Sequence, residues 1–166
     1  MQRLFNIFLV FIFITGCGYL PASKQARKVV GASLYVEVVV PLDDPENAVI
    51  IKDATRQAVV TRFHSALVSA SKAKTTLLVK LSNISFVPLQ YDKNGYIAVY
   101  RAIISLNITR KRGNSKKIYR SKGIFDFTIE PNAVITDNQR FNAITQASLK
   151  ALDSFVAQVG AEGSTL

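Results

Sequence analysis

From Ala98 to Ile108 every second residue is apolar: Ala98, Tyr100, Ala102, Ile104, Leu106 and Ile108. Between them stand Val99, Arg101, Ile103, Ser105, Asn107 and Thr109. A period of two marks a strand with one face on a core. The run reaches from Tyr96 to Arg110, fifteen residues, or roughly 50 Å at about 3.3 Å each. A strand that long makes for an elongated sheet.

Its neighbours fall on either side. Thr75 to Gln90 reads as a strand with Leu77, Val79 and Leu81 on one face and Ile84 and Phe86 at the opposite parity. A β-bulge near Ser82-Asn83 returns the apolar side to the core. Pro88 suits an edge or the end of pairing. Tyr91 to Gly95 is a turn, with Asn94-Gly95 supplying the left-handed residues. After Lys111 to Ser115 a third strand runs from Lys117 to Ile129, with Tyr119, Phe125, Phe127 and Ile129 on one face.

Upstream, Leu34 to Val40 is a β-branched strand closed by Pro41. Asp44 as N-cap, Pro45 in the first turn and Glu46 start a helix expected to reach Ser69. Downstream, Thr136 and Gln139 form a capping box for a last helix, Asp137 to Val159, with Gly160 as its stop. The order is βαβββα. The expected fold is α+β, a two-layer sandwich with a mainly antiparallel four-stranded sheet and two helices on one face. Residues 34–160 make one domain and residues 161–166 a disordered tail.

The first residues carry a second message. Met1-Gln-Arg3 is followed by the almost wholly apolar run Leu4 to Ile14, the length of a signal-peptide core and short of a membrane span of about 20 residues. Ile14-Thr15-Gly16-Cys17 is similar to the bacterial lipobox. The reading is a lipoprotein signal peptide over residues 1–16 and a mature chain starting at Cys17. Diacylglycerol on the thiol and an acyl chain on the freed amine would anchor it. Gly18 in place of Asp points to the outer membrane. Residues 17–33, with Pro21, Gly31, Lys24, Arg27 and Lys28, read as a lipidated tether.

Twenty-one Lys and Arg against eleven Asp and Glu give a formal charge of +10, which favours an anionic partner. Export excludes nucleic acid and leaves lipid, cell-wall and lipopolysaccharide anions. Seven cations crowd one hairpin: Arg110, Lys111, Arg112, Lys116, Lys117, Arg120 and Lys122. They either meet lipopolysaccharide phosphates or form a solvated loop. No catalytic set is visible. His64 is the one imidazole and lies mid-helix, and one Cys with one His cannot hold structural zinc. Asp43, Asp44 and Glu46 are explained by helix capping. Asp92, Asn94 and Gly95 fit a hairpin better than a calcium loop. The reading is therefore not an enzyme, with no cofactor and no metal.

The layout resembles the LPS-assembly lipoprotein family LptE in its epsilonproteobacterial form. The resemblance rests on Cys17 with Gly18-Tyr19, the strand order, Asp44-Pro45-Glu46-Asn47, the run Pro88 to Tyr96, and Ile129-Glu130-Pro131-Asn132. It covers about Cys17 to Val159. It implies a non-enzymatic lipoprotein that plugs the large β-barrel LptD, helps it fold, and binds lipopolysaccharide on its way to the outer leaflet. No family motif fixes the ligand residues, so the seven hairpin cations are assigned by charge. The competing readings are an accessory lipoprotein of a phospholipid-transport or envelope-maintenance complex, and a cell-wall hydrolase.

Overall fold

The computed structural model describes residues 22–39, 45–130 and 133–165. Within them helix α1 is Ala22–Val30, strand β1 is Ser33–Val39, helix α2 is Pro45–Phe63 and strand β2 is Ala66–Leu67. A single 3-10 turn, Ala70–Lys72, leads to β3 (Thr75–Tyr91), β4 (Ile97–Arg112) and β5 (Ser115–Thr128), and helix α3 (Asp137–Ser164) closes the chain. The sheet order is β2-β1-β3-β4-β5. β3, β4 and β5 form an antiparallel meander. β1 runs parallel to both β2 and β3.

Among the described residues the sheet is thus five-stranded and mixed, where four mainly antiparallel strands were expected, and three helices are present instead of two. The parallel pairing follows from α2, which carries the chain from the end of β1 back to the starting edge. A strand that re-enters there must run the same way. β2 is only two residues long, too short to show a period. It exists because α2 stops at Phe63, short of Ser69. His64 takes a positive φ of 50°, the Ser65 hydroxyl donates to Gly31 O at 2.8 Å, and Ala66 N–H donates to Ala32 O.

Alternation governs the meander. Ala102, Ile104, Leu106 and Ile108 of β4 are buried, as are Leu77 and Val79 of β3 and Tyr119 of β5. The register shifts between Leu81 and Asn83, so that Ile84 faces Ile104 and Phe86 faces Ala102. The expected bulge is there, and Pro88 lies on the stretch of β3 beyond β1's reach. Phe63, Ile51, Ile144, Leu152 and Phe155 from the helices complete the core. Thr136 caps α3 with both arms of its box.

Two differences concern the chain ends. Over the expected tether, Ala22–Val30 is helical, with Ala26, Val29 and Val30 fully buried. Over the expected tail, α3 continues through Gly160 to Ser164. They explain each other. A Cβ built on Gly163 would lie 2.2 Å from Gln25 O, so α1 sits directly on the last turn of α3, and each covers the other's apolar side. Residues 1–16, Cys17, and the caps Asp43 and Asp44 lie outside the described residues.

Candidate functional site

α2 and α3 cover one face of the sheet, and α1 packs on them at its end. Among the described residues the other face is open, and strand parity decides which side chains reach it. From β4 these are Arg101, Ile103, Ser105, Asn107, Thr109 and Lys111; from β5, Lys116, Ile118, Arg120, Lys122 and Ile124, set opposite them. The seven hairpin cations therefore divide into two groups.

Three turn inward or back onto the fold. Arg110 continues the buried parity of Ile108 and is 7% exposed. Its guanidinium donates to Val29 O at 3.1 Å and to Glu162 Oε1 at 2.9 Å. Arg112 donates to Lys28 O and Val29 O at 3.0 and 2.9 Å. These are unpaired carbonyls at the C-terminal end of α1, where a cation is also favoured by the helix dipole. Lys117 Nζ donates to Glu162 Oε2 at 3.0 Å, and the Tyr119 hydroxyl donates to the same oxygen. Burial by itself pushes the Glu162 carboxyl up. The hydrogen bonds from Tyr119 and Lys117 and the charge of Arg110 outweigh it and hold the group below the usual glutamate value. Tyr119 is raised, first by burial and then by its bond to Glu162. This knot ties α1, α3 and the hairpin together.

Four remain on the open face: Lys111, Lys116, Arg120 and Lys122. None of them forms an ion pair among the described residues. Lys111 stands directly across from Lys116, a like-charge pair that costs stability unless an anion bridges it. Lys80 of β3 joins them, opposite Asn107, which is opposite Arg120 in turn. Aliphatic residues interleave the cations. Ile118 is 57% exposed, and Ile124 and Ile103 face each other beyond Arg120 and Lys122. Further up the same face Arg101 and Asp126 close a two-pronged ion pair at 2.7 and 2.8 Å. Arg101's hydrogen bonds hold the Asp126 carboxyl below its usual range. The open face is thus cationic at the β4–β5 turn and mixed toward the far end.

The far end exposes a set of apolar side chains. Tyr91, Tyr96, Leu89, Val134 and Phe141 are exposed there, and a cleft of about 430 Å³ lies between Tyr96, Tyr100, Val134 and Ile135. Behind it Phe127 stacks with Phe125 and Tyr100 and meets Phe86 edge-on. Among the described residues no three His, Cys, Asp or Glu side chains gather as a metal site requires. His64 ends α2 and is not mid-helix.

The family profile for LptE, described as lipopolysaccharide-assembly, matches residues 34–159. The chain belongs to the LptE family. That span takes in β1 through most of α3 and leaves α1 outside the profile. No curated protein matches this LptE-family chain in sequence. Solved structures share its fold. Rare lipoprotein B from Shewanella oneidensis is 13% identical, with a TM-score of 0.50 over 80% of this chain and 96% of that one. A Caulobacter crescentus structure is 8% identical, with a TM-score of 0.54 over 87% and 96%. A minor lipoprotein from Acinetobacter baumannii is 9% identical, with a TM-score of 0.50 over 81% and 94%.

Proposed function

We propose that this LptE-family chain is a non-enzymatic outer-membrane lipoprotein, acylated at Cys17, that plugs and helps assemble an LptD-like β-barrel and binds lipopolysaccharide there. The observation that carries the ligand half is the open sheet face. Lys80, Lys111, Lys116, Arg120 and Lys122 lie there beside Ile103, Ile118 and Ile124 and form no ion pair among the described residues. A lipid carrying clustered phosphates offers both halves of the match, charge for the cations and acyl surface for the isoleucines. Arg110, Arg112 and Lys117 serve this surface from behind, by fixing the hairpin that presents it. The barrel half is supported by family membership, by the length of β4 and by the exposed apolar far end, which suits a protein wall.

Two experiments test the halves separately. Tagged chain extracted in mild detergent should bring down a large outer-membrane barrel; recovery of the chain alone would refute the plug. Reversing Lys116, Arg120 and Lys122 to Glu should weaken lipopolysaccharide binding at least about tenfold and flatten its salt dependence. Unchanged affinity would make the hairpin merely solvated.

A further inference from the structure

The two ends of the molecule differ in charge, and the difference follows the chain's own attachment point. α1 lies across the end of the sandwich where β1 and β3 begin and β4 finishes. Its buried side is Ala26, Val29 and Val30; its exposed side is Lys24, Arg27 and Lys28. Lys72 and Lys74 are exposed at the same end, fixed there by the bond from Lys74 N–H to Ser33 Oγ. A cleft of about 260 Å³ between Lys24, Arg27, Phe63 and His64 opens on the same surface. The acidic groups nearby are already engaged: Glu162 by Arg110, Lys117 and Tyr119, and Asp153 by Arg62 at 2.8 Å. At the opposite end Asp92, Glu130 and Asp137 outnumber Lys93 and Arg140.

We infer that this basal surface, built on α1 and completed by Lys72 and Lys74, lies on the anionic headgroups of the leaflet that holds the chain's own lipid, so that β4 points away from it. The inference rests on the acylation of Cys17 in the reading above. Cys17 stands five residues before Ala22, a reach of at most about 17 Å even when fully extended. The anchor keeps this end within reach of the bilayer, and the charge contact decides whether the body stands on it or tilts freely about the tether. Five cations within a Debye length of an anionic surface are attracted to it strongly. α1 transmits that contact to the whole body, because Arg110 and Arg112 hold its final carbonyls and Gly163 abuts Gln25.

The test uses the mature acylated chain, without a barrel, in nanodiscs of phosphatidylethanolamine with or without phosphatidylglycerol. Cys17 is the sole cysteine and is blocked by its lipid. A donor dye at Asn114→Cys or Asn94→Cys then reports distance to an acceptor on the headgroups. With anionic lipid, transfer from position 114 should exceed that from position 94 at least about fivefold, because β4 sets the two turns roughly 50 Å apart. Omitting phosphatidylglycerol, or raising salt to about 1 M, should erase most of the difference. Reversing Lys24, Arg27 and Lys28 to Glu should do the same. Equal transfer from both positions in anionic discs, or a difference indifferent to lipid charge, overturns the inference. No transfer from either position also overturns it. The intact mass at Cys17 then tells a missing anchor, which is a failure of the earlier reading, from a missing charge contact.

Discussion

Glu162 receives three donors from two strands while sitting on a third element, and its loss should be felt by all of them. Replacing it with Gln removes the one carboxylate paired with buried Arg110 among the described residues. We expect Glu162→Gln to lower unfolding free energy at neutral pH by about 3 kcal/mol, the cost of stranding a buried charge. The folded carboxyl lies below its ordinary value of 4.5. Its stabilisation is thus complete above that value and lost as pH falls through the lower folded one. The gap between variant and wild type should close on acidification, and urea titrations on both sides of that range would read it. The sequence held a signal for this knot. Arg110 keeps the inward parity of Leu106 and Ile108, and Glu162 extends the stripe of Phe155 and Val159 by three residues. Counting cations by proximity overlooks that neighbours on a strand face opposite ways. It also misses Lys80, which is distant in sequence and adjacent only through strand pairing.

At the scale of elements, two helices are seated by glycines. A Cβ on Gly123 would lie 1.9 Å from Ala147 O and 2.4 Å from Ala151 N, so β5 admits α3 at van der Waals distance only because that side chain is absent. Gly123→Ala should cost about 3 kcal/mol, measured by thermal unfolding. Gly163→Val should act more locally, since it opposes α1 alone. Amide exchange over residues 22–30 should rise while that over β4 stays low. The meander, its bulge and the Thr136 cap were legible because each is written in adjacent residues. α1 was not. Its apolar set, Ala26, Val29 and Val30, has helical spacing but spans little more than one turn among lysines and arginines. What makes it a helix is α3, over a hundred residues later. β2 and the parallel pairing of β1 depend on long-range partners in the same way.

At the scale of the molecule, one sheet face lacks a covering layer among the described residues, and a ligand that binds it should stabilise the fold by mass action. Lipopolysaccharide at a hundred times its dissociation constant should raise stability by about 2.7 kcal/mol. At the same concentration a chain carrying Arg120→Glu and Lys122→Glu, bound about tenfold more weakly, should gain no more than about half of that. Both substitutions are on the open face, so the unliganded melting temperature should move little. The plug reading and the basal membrane contact use different surfaces of the same body. Variants of α1 should therefore leave barrel recovery intact.

The kink in β3 has a consequence for chain length. Leu81 pairs with Leu106 and Asn83 with Ser105, so Ser82 is a supernumerary residue between two consecutive stretches of ladder, Thr76 to Leu81 and Asn83 to Pro88. Removing it would join Leu81 to Asn83 with every partner unchanged, and a shortened chain should fold with the same faces in and out, only straighter. Excising Asn107 instead would leave β4 one residue short and swing Ile108 and Arg110 toward water. A one-residue deletion should thus be tolerated at Ser82 and rejected at Asn107, a few ångströms away across the sheet.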